Sequence, residues 1–160
     1  MTNGPDDYLS VESLVRMLVD IVSKNGNLLL DVGPMADGTI PELQRDRLLG
    51  LGAWLDTNGE AIFGTRPWVI AEGQTDSGIG VRFTRNDESV YAVLLDTVHG
   101  GQITLNKIGA ADAAMVNLLG HPGALNWQQN GDHLTIMLPI NVASAPAHTI
   151  KITPPPTYAG

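Results

Sequence analysis

The spacing of apolar residues changes once along the chain, near Arg66–Pro67, and this change restricts the folds that the sequence can adopt. Before it, apolar residues recur at helical spacing on both sides of one short apolar run. After it, short alternating segments are separated by turn residues, as in antiparallel sheets. The sequence therefore predicts an α+β protein, with a helix–strand–helix segment over residues 1–66 and an antiparallel β-sandwich over residues 67–160.

Both predicted helices carry recognisable start and stop signals. The first runs from Ser10, a favourable N-cap, to Lys24, and Asn25–Gly26 ends it. The second opens on Thr39-Ile40-Pro41-Glu42, where Thr39 and Glu42 have the spacing of a capping box. Asn58–Gly59 marks its end. Each helix has an apolar stripe, which predicts burial of one face.

Between the helices lies Asn27–Val32, a predicted strand with three consecutive leucines. A strand of this composition is typical of a parallel sheet covered on both faces. One strand cannot form a sheet, and its two open edges would be unstable in isolation. We therefore expect neighbouring strands from an upstream segment or from a second copy of the chain, and the latter predicts a homo-oligomer.

The second half predicts about seven short strands with turn sequences such as Asn-Asp-Glu and Asn-Gly-Asp between them. The segment Thr153–Thr157, rich in proline, is expected to be a terminal tail outside the sheets. The predicted strands are Gly80–Thr84, Ser89–Asp96, Gln102–Ile108, Met115–Leu119, Leu125–Gln129, His133–Leu138 and Thr149–Thr153.

Composition excludes several classes of function. Nine Lys and Arg against 17 Asp and Glu give a net charge of −8, which argues against nucleic acid as a partner. The chain has no cysteine, and its four histidines lack metal-type spacing, so we expect no metal and no cofactor. It shows neither a signal-peptide pattern nor an apolar run long enough for a membrane helix. We therefore expect no membrane partner and a cytoplasmic location for the chain as expressed.

Residues 18–68 carry a specific family resemblance. The stretch LVDIVSKNGNLLLDVGPMADGTIPELQRDRLLGLGAWLDTNGEAIFGTRPW resembles the end of the catalytic barrel of bacterial and animal α-L-fucosidases. Its most diagnostic parts are SKNGNLLL, ADGTIPE and the GTRPW that follows NGEAI. The remaining, β-rich half resembles the C-terminal β-domain of the same family. Asp31 stands where asparagine is commonest in the family, and Phe63 where tyrosine is usual.

The resemblance implies retaining hydrolysis of terminal α-L-fucosyl residues, with a fucosylated glycan or an aryl glycoside as substrate. It implies that Asn27–Val32 is the last strand of a (β/α) barrel, and that a β-sandwich follows. The family's aspartate nucleophile and its acid/base lie upstream of the matching region, so no catalytic residue is transferred to this chain. The chain is thus interpreted as a truncated fucosidase-like hydrolase that is weak or inactive alone.

Three carboxylates in the strand–turn–helix region are the candidate catalytic residues: Asp31, Asp37 and Glu42. A glycosidase needs two carboxyl groups, roughly 5–5.5 Å apart for retention or 6.5–9.5 Å for inversion. Local roles compete for two of them, since Asp37 precedes a turn glycine and Glu42 belongs to the predicted capping box. Asp31 is harder to explain, because a carboxylate after three leucines must be solvated, paired or protonated.

Two alternative functions stay open. The chain could be an autonomous weak glycosidase that uses Asp31 with Asp37, with Glu42 or with a carboxylate from another copy. It could instead be a carbohydrate-binding sandwich in which Trp68, Tyr91 or Trp127 stacks on a sugar ring. The chain has only eight aromatic residues, which favours packing of these three in the core or between the two parts. Trp54, Phe63 and Trp68 are expected to dock the helical segment on the sandwich.

Overall fold

The computed structural model describes residues 8–98 and 101–160. Helix α1 spans Val11–Ser23, and the Ser13 backbone N–H donates to the Ser10 hydroxyl oxygen over 3.1 Å, as expected of an N-cap. Asn25 then adopts a left-handed φ of 66°, and the Gly26 N–H bonds back to the Ile21 carbonyl. The predicted start and end of the first helix are confirmed.

Helix α2 spans Glu42–Asn58 and passes into a 3₁₀ turn over Gly59–Ala61. The predicted capping box is wrong. The helix begins at Glu42 itself, with Pro41 in the N-cap position and no side-chain cap, while the Thr39 hydroxyl donates to Asp37 instead. Thr39 therefore lies too far ahead of the first turn to bond with it. Within the described ranges, neither helix is long and apolar enough to cross a membrane.

The strands build three antiparallel sheets. A five-stranded sheet has the order β1-β2-β3-β9-β6, a three-stranded sheet the order β4-β8-β7, and β5 pairs with β10. The fold class is α+β, as predicted. The strands are β1 Arg66–Gln74, β2 Gly80–Arg85, β3 Val90–Leu94, β4 Gly101–Asn106, β5 Ile108–Gly109, β6 Met115–Leu118, β7 Trp127–Asn130, β8 His133–Leu138, β9 His148–Thr153 and β10 Thr157–Tyr158.

Each of the seven predicted strands has a counterpart, but three details differ. The predicted strand Gln102–Ile108 is two strands, because Lys107 takes a left-handed φ of 62° between β4 and β5. Strand β1 was not among the predicted strands. Its sequence, RPWVIAEGQ, contains a proline, and its register against β2 is irregular. The expected terminal tail was also wrong at its end, since Thr157 and Tyr158 pair with β5.

The predicted strand Asn27–Val32 is wrong in this chain. The segment contains no strand and, among the described residues, makes no backbone–backbone hydrogen bond. Leu29 is 94% exposed, whereas a buried parallel strand would have covered it. The apolar run is present, but a ladder requires a partner strand, and the described residues supply none.

Strand β3 holds the layers together because it is buried on both faces. Val90, Ala92 and Leu94 belong to the core between the five-stranded and three-stranded sheets. Tyr91 and Val93 point the other way, as side chains alternate along a strand, and join the second core beneath the helices. The second core also contains Val15, Val19, Leu51, Trp54, Ala61, Ile62 and Ala147.

Trp54 docks the helices on the sheet as predicted. Its indole N–H donates to the Ala147 carbonyl over 2.9 Å, and only 4% of the residue is exposed. Trp68 is buried too, but in the core between the sheets, against Phe83 at a ring-centroid distance of 5.4 Å. The prediction that Phe63 docks the two parts is wrong, because Phe63 is 67% exposed. It lies beyond the 3₁₀ turn, outside the second core.

We expect Trp54→Ala to destabilise the protein by about 3–5 kcal/mol, the usual cost of removing a buried aromatic side chain. Trp54→Phe should cost about 1–3 kcal/mol, since it keeps most of the packing but leaves the buried Ala147 carbonyl without its donor. Urea unfolding followed by circular dichroism measures both. Phe63→Ala is the control and should change stability by less than about 0.5 kcal/mol. Equal losses for Trp54→Ala and Phe63→Ala would contradict this account of the docking.

Candidate functional site

Asp31 lies exposed at the end of the extended segment that follows α1. Its Oδ1 accepts the Val32 backbone N–H over 3.0 Å. It lines a small pocket of about 150 Å³ together with Arg47, Gln44 and apolar side chains. Among the described residues of that pocket, Asp31 is the only carboxylate. The carboxylate is therefore solvated, which answers the desolvation problem raised by its sequence position.

Asp37 has the turn role that its sequence predicts. Its Oδ1 accepts both the backbone N–H of Thr39 over 3.0 Å and the Thr39 hydroxyl over 2.7 Å. These hydrogen bonds, the backbone one first, lower the pKa of the Asp37 carboxyl. A general acid requires a raised pKa, so this environment favours the opposite protonation state.

Glu42 is exposed in the first turn of α2, where the helix dipole favours a negative charge. It lines a shallow surface depression with Arg45 and Leu48, which differs from the pocket lined by Asp31. Asp37 lines neither of them. The three candidate carboxylates thus occupy separate surroundings on the described surface.

A cluster of charges joins α1 to the sheet. Asp20 Oδ1 lies 2.6 Å from Arg82 Nε and 2.8 Å from Lys24 Nζ, and Glu72 Oε2 lies within 3.4 Å of both cations. The hydrogen bond from Lys24 and then that from Arg82 lower the pKa of Asp20. The hydrogen bond to Asp20 raises the pKa of Lys24 in turn. Both carboxylates face cations, so the cluster is a structural ion-pair network.

A second polar group lies where the 3₁₀ turn meets the sheet. Glu60 Oε2 accepts from Lys151 Nζ over 2.6 Å and from the buried Tyr91 hydroxyl over 3.2 Å. Burial and the Glu60 charge raise the pKa of Tyr91, so its hydroxyl stays protonated as a donor. The hydrogen bond to Glu60 raises the pKa of Lys151. Sequence reasoning missed this group because its members are separated by some thirty to ninety residues.

The aromatics proposed as sugar-stacking residues are mostly inaccessible. Trp68 and Tyr91 are buried in the two cores. Trp127 is half-buried, and its indole N–H donates to the Ala114 carbonyl over 3.0 Å. Of the histidines, His99 lies outside the described residues. Across the described ranges, no group of three or more His, Asp or Glu side chains could hold a metal ion.

Sequence reasoning also missed a pocket of about 470 Å³ between α2 and the sandwich. Its walls come from α2, from the turn after β6 (residues 118–121) and from the segment 141–148 that leads into β9. Trp54, His121 and Asn141 are among its lining residues. The segment between β8 and β9, PINVASAPA, is rich in alanine and proline and carries no sequence motif. Its length was the one available signal.

Comparison with known proteins places this architecture in a family. A sequence model described as alpha-L-fucosidase matches residues 2–60, and one described as the alpha-L-fucosidase C-terminal domain matches residues 74–153. The two helices and the mostly antiparallel sheets are those of the C-terminal region of a glycoside hydrolase. The chain belongs to the α-L-fucosidase family, as the sequence resemblance implied.

Individual relatives agree. The chain is 37% identical over 134 residues to the alpha-L-fucosidase of Branchiostoma floridae, an alignment that covers 83% of this chain and 29% of that protein. It is 40% identical over 132 residues to human plasma alpha-L-fucosidase, covering 80% of this chain and 28% of the relative. A crystal structure of Thermotoga maritima alpha-fucosidase in complex with fucose superposes with a TM-score of 0.85 at 39% identity, covering 95% of this chain and 36% of that one. The chain therefore spans about a third or less of these relatives.

We expect Asp20→Asn to lower stability by about 1 kcal/mol at neutral pH, a figure discounted for screening because the Asp20 side chain is 36% exposed. The folded-state pKa of Asp20 is depressed, so its contribution is full above the unfolded pKa and is lost as pH falls through the folded value. The gap between wild type and variant should therefore close in acid. Urea unfolding at several pH values measures it.

Asp56→Asn provides the matched control, since Asp56 is an exposed carboxylate on α2 with no ion pair among the described residues. Its effect should stay within about 0.5 kcal/mol at every pH. An Asp20→Asn effect that persists unchanged in acid would show that packing, and not charge, is responsible.

Proposed function

We propose that this chain supplies the structural C-terminal part of a retaining α-L-fucoside hydrolase and is catalytically silent alone. In this role, the helices and the extended segment 27–32 form one wall of a catalytic barrel, and the sandwich supports that wall. The substrate class is the one of its relatives, terminal α-L-fucosides on glycans or aryl groups. We propose a role for this part of the hydrolase only.

The separation of the candidate carboxylates is the observation that supports silence most directly. Asp37 is held ionised by Thr39, and Glu42 lies at a helix start in a different depression from Asp31. Retaining hydrolysis needs one nucleophilic carboxylate and one acid with a raised pKa on either side of the sugar. Neither the pocket lined by Asp31 nor the depression lined by Glu42 contains a second of these three carboxylates among its described residues.

The exposed leucines provide a second line of support. Leu29 is 94% exposed, and Leu48 and Leu49 on α2 are exposed as well. Surfaces of this kind mark places where another polypeptide packs. A barrel wall requires such packing on both of its faces, whereas a self-sufficient binding module does not.

One feature favours a second candidate, an autonomous weak glycosidase. Asp31 lines a pocket with Arg47, and a carboxylate from another polypeptide placed at that pocket would complete a pair. In this alternative, the isolated chain hydrolyses fucosides only when it associates with itself. Asp31→Asn separates the two candidates.

We expect the isolated 160-residue chain to release no detectable aryl alcohol from an aryl α-L-fucoside. Turnover at an ordinary enzymatic rate, with a kcat of about 1–10³ s⁻¹, would contradict the proposal. If weak turnover appears and Asp31→Asn abolishes it without loss of fold, the second candidate is correct. Asp112→Asn, at an exposed turn before β6, is the control for the substitution itself.

A chimera tests the structural role. This chain would replace the 36% of the Thermotoga maritima enzyme that it matches. The chimera should hydrolyse the aryl fucoside, while the Thermotoga remainder without this chain should not. Asp31→Asn in the chimera should leave activity within about twofold of the parent, because Asp31 has no catalytic role in this proposal. A folded but inactive chimera would overturn the structural role.

We also propose that the isolated chain self-associates. The backbone of segment 27–32 has no ladder partner among the described residues, and Leu29 is exposed beside it. Unpaired N–H and C=O groups next to apolar side chains promote pairing with a second copy. Two-fold association is the simplest closed arrangement.

Light scattering at micromolar concentration should therefore report a mass above the 17.0 kDa of one chain. Leu29→Lys should shift the equilibrium towards the monomer, since a charge on the exposed edge opposes strand pairing. Val69→Lys is the control, because Val69 is also largely exposed, at 71%, but belongs to β1 and not to this segment. A monomer for the wild type would contradict self-association.

A further inference from the structure

We propose that the pocket between α2, the turn 118–121 and the segment 141–148 is a binding site for a neutral sugar, separate from any catalytic centre. The inference does not rest on the fucosidase role, because it is argued from described residues that line the pocket. Its volume of about 470 Å³ falls within the range of about 300–1,000 Å³ that small-molecule sites occupy.

The walls of the pocket are fixed by close packing. Gly120 has a left-handed φ of 80°, and a Cβ built on it would lie 2.6 Å from Thr57 Cγ2 on α2. Glycine is therefore required where the turn meets the helix. On the opposite side, the Ala147 carbonyl is bonded to the Trp54 indole N–H, which ties the segment 141–148 to the same helix. The site is thus formed before any ligand arrives.

The lining combines apolar surface with uncharged polar groups. Trp54 is 4% exposed and its only N–H is engaged by Ala147, so it presents to the pocket only a small area of ring carbon. Small apolar side chains flank it, while hydroxyl, amide and imidazole groups supply donors and acceptors. The apolar members include Val11, Ala53, Val142, Ala143 and Pro146, and the polar members include Thr57, His121, Asn141, Ser144 and His148.

His121 has hydrogen-bonding capacity that the fold leaves unused. Its Nδ1 is buried, and within the described part of the chain it has no hydrogen-bond partner. Buried polar atoms of this kind are rare in folded proteins and call for a specific explanation. A ligand hydroxyl in the pocket, reached through a small rotation of the imidazole, is a partner that suits either tautomer.

The charge of the lining selects the ligand class. Among the described residues that line the pocket there is no Asp, Glu, Lys or Arg, in a chain whose net charge is −8. An ionised ligand would lose hydration without gaining a counter-charge, so the site excludes phosphates and carboxylates. A neutral pyranose fits, because its C–H face packs on the apolar wall and its hydroxyls reach the polar groups. We expect a Kd on the order of 1 mM for a monosaccharide.

The test is an NMR titration of the ¹⁵N-labelled chain with L-fucose, D-galactose and N-acetyl-D-glucosamine. At least one of these should give saturable amide shifts confined to Val11 and to residues 50–58, 118–121 and 141–148. D-Galacturonate, the carboxylated counterpart of galactose, should bind at least about tenfold more weakly than galactose. Absence of saturable shifts with all three sugars, shifts outside these ranges, or equal binding of galacturonate would each overturn the proposal.

Variants tie the signal to the pocket. Ala53→Leu places three additional carbons in the pocket from the exposed side of α2, and should abolish the saturable shifts. Ala113→Leu, at an exposed alanine in the turn before β6, should leave them unchanged. His121→Ala should weaken binding about tenfold through loss of one hydrogen-bonding group. The spectra of each variant also report whether it is folded. Wild-type binding by folded Ala53→Leu would overturn the proposed site.

Discussion

The burial of β3 on both faces is the constraint on which the rest of the structure depends. Its alternate side chains belong to two different cores, so Val90, Ala92 and Leu94 hold the sheets together while Tyr91 and Val93 receive the helices. A single strand therefore fixes the order of three layers: helices, five-stranded sheet, three-stranded sheet. The hydrogen bond from Trp54 to Ala147 and the ion pairs around Asp20 add direction to a contact whose main energy is apolar burial.

The segment between the helices, residues 27–32, has the composition of a strand but no partner strand among the described residues. Its leucines are those of an interior strand, yet Leu29 is exposed and the backbone around it is unpaired within the described residues. The chain spans about a third or less of the fucosidases it resembles. The sheets have their ladder partners within the chain, whereas segment 27–32 has none among the described residues.

Several local signals predicted the structure correctly, although the capping box of Thr39 and Glu42 did not form. Ser10 caps α1, and Asp37 folds its turn around Thr39, because each needs only contacts two or three residues away. Prediction failed where distant parts decide. Segment 27–32 lacks a partner, Phe63 lies past the edge of the core, and β10 forms because β5 happens to lie beside it. No sequence motif indicated the Glu60–Tyr91–Lys151 group or the pocket beside Trp54, because residues that are distant in the chain form both.

The distribution of the tryptophans has a practical consequence. Trp54 lies in the core under the helices, Trp68 in the core between the sheets, and Trp127 at the half-buried margin of the sandwich. The chain thus carries one tryptophan in each of its two cores and a third at the edge of the sandwich. Emission from single-tryptophan derivatives can distinguish detachment of the helices from melting of the sandwich. The helical layer and the sheets can in this way be followed separately without attaching a dye.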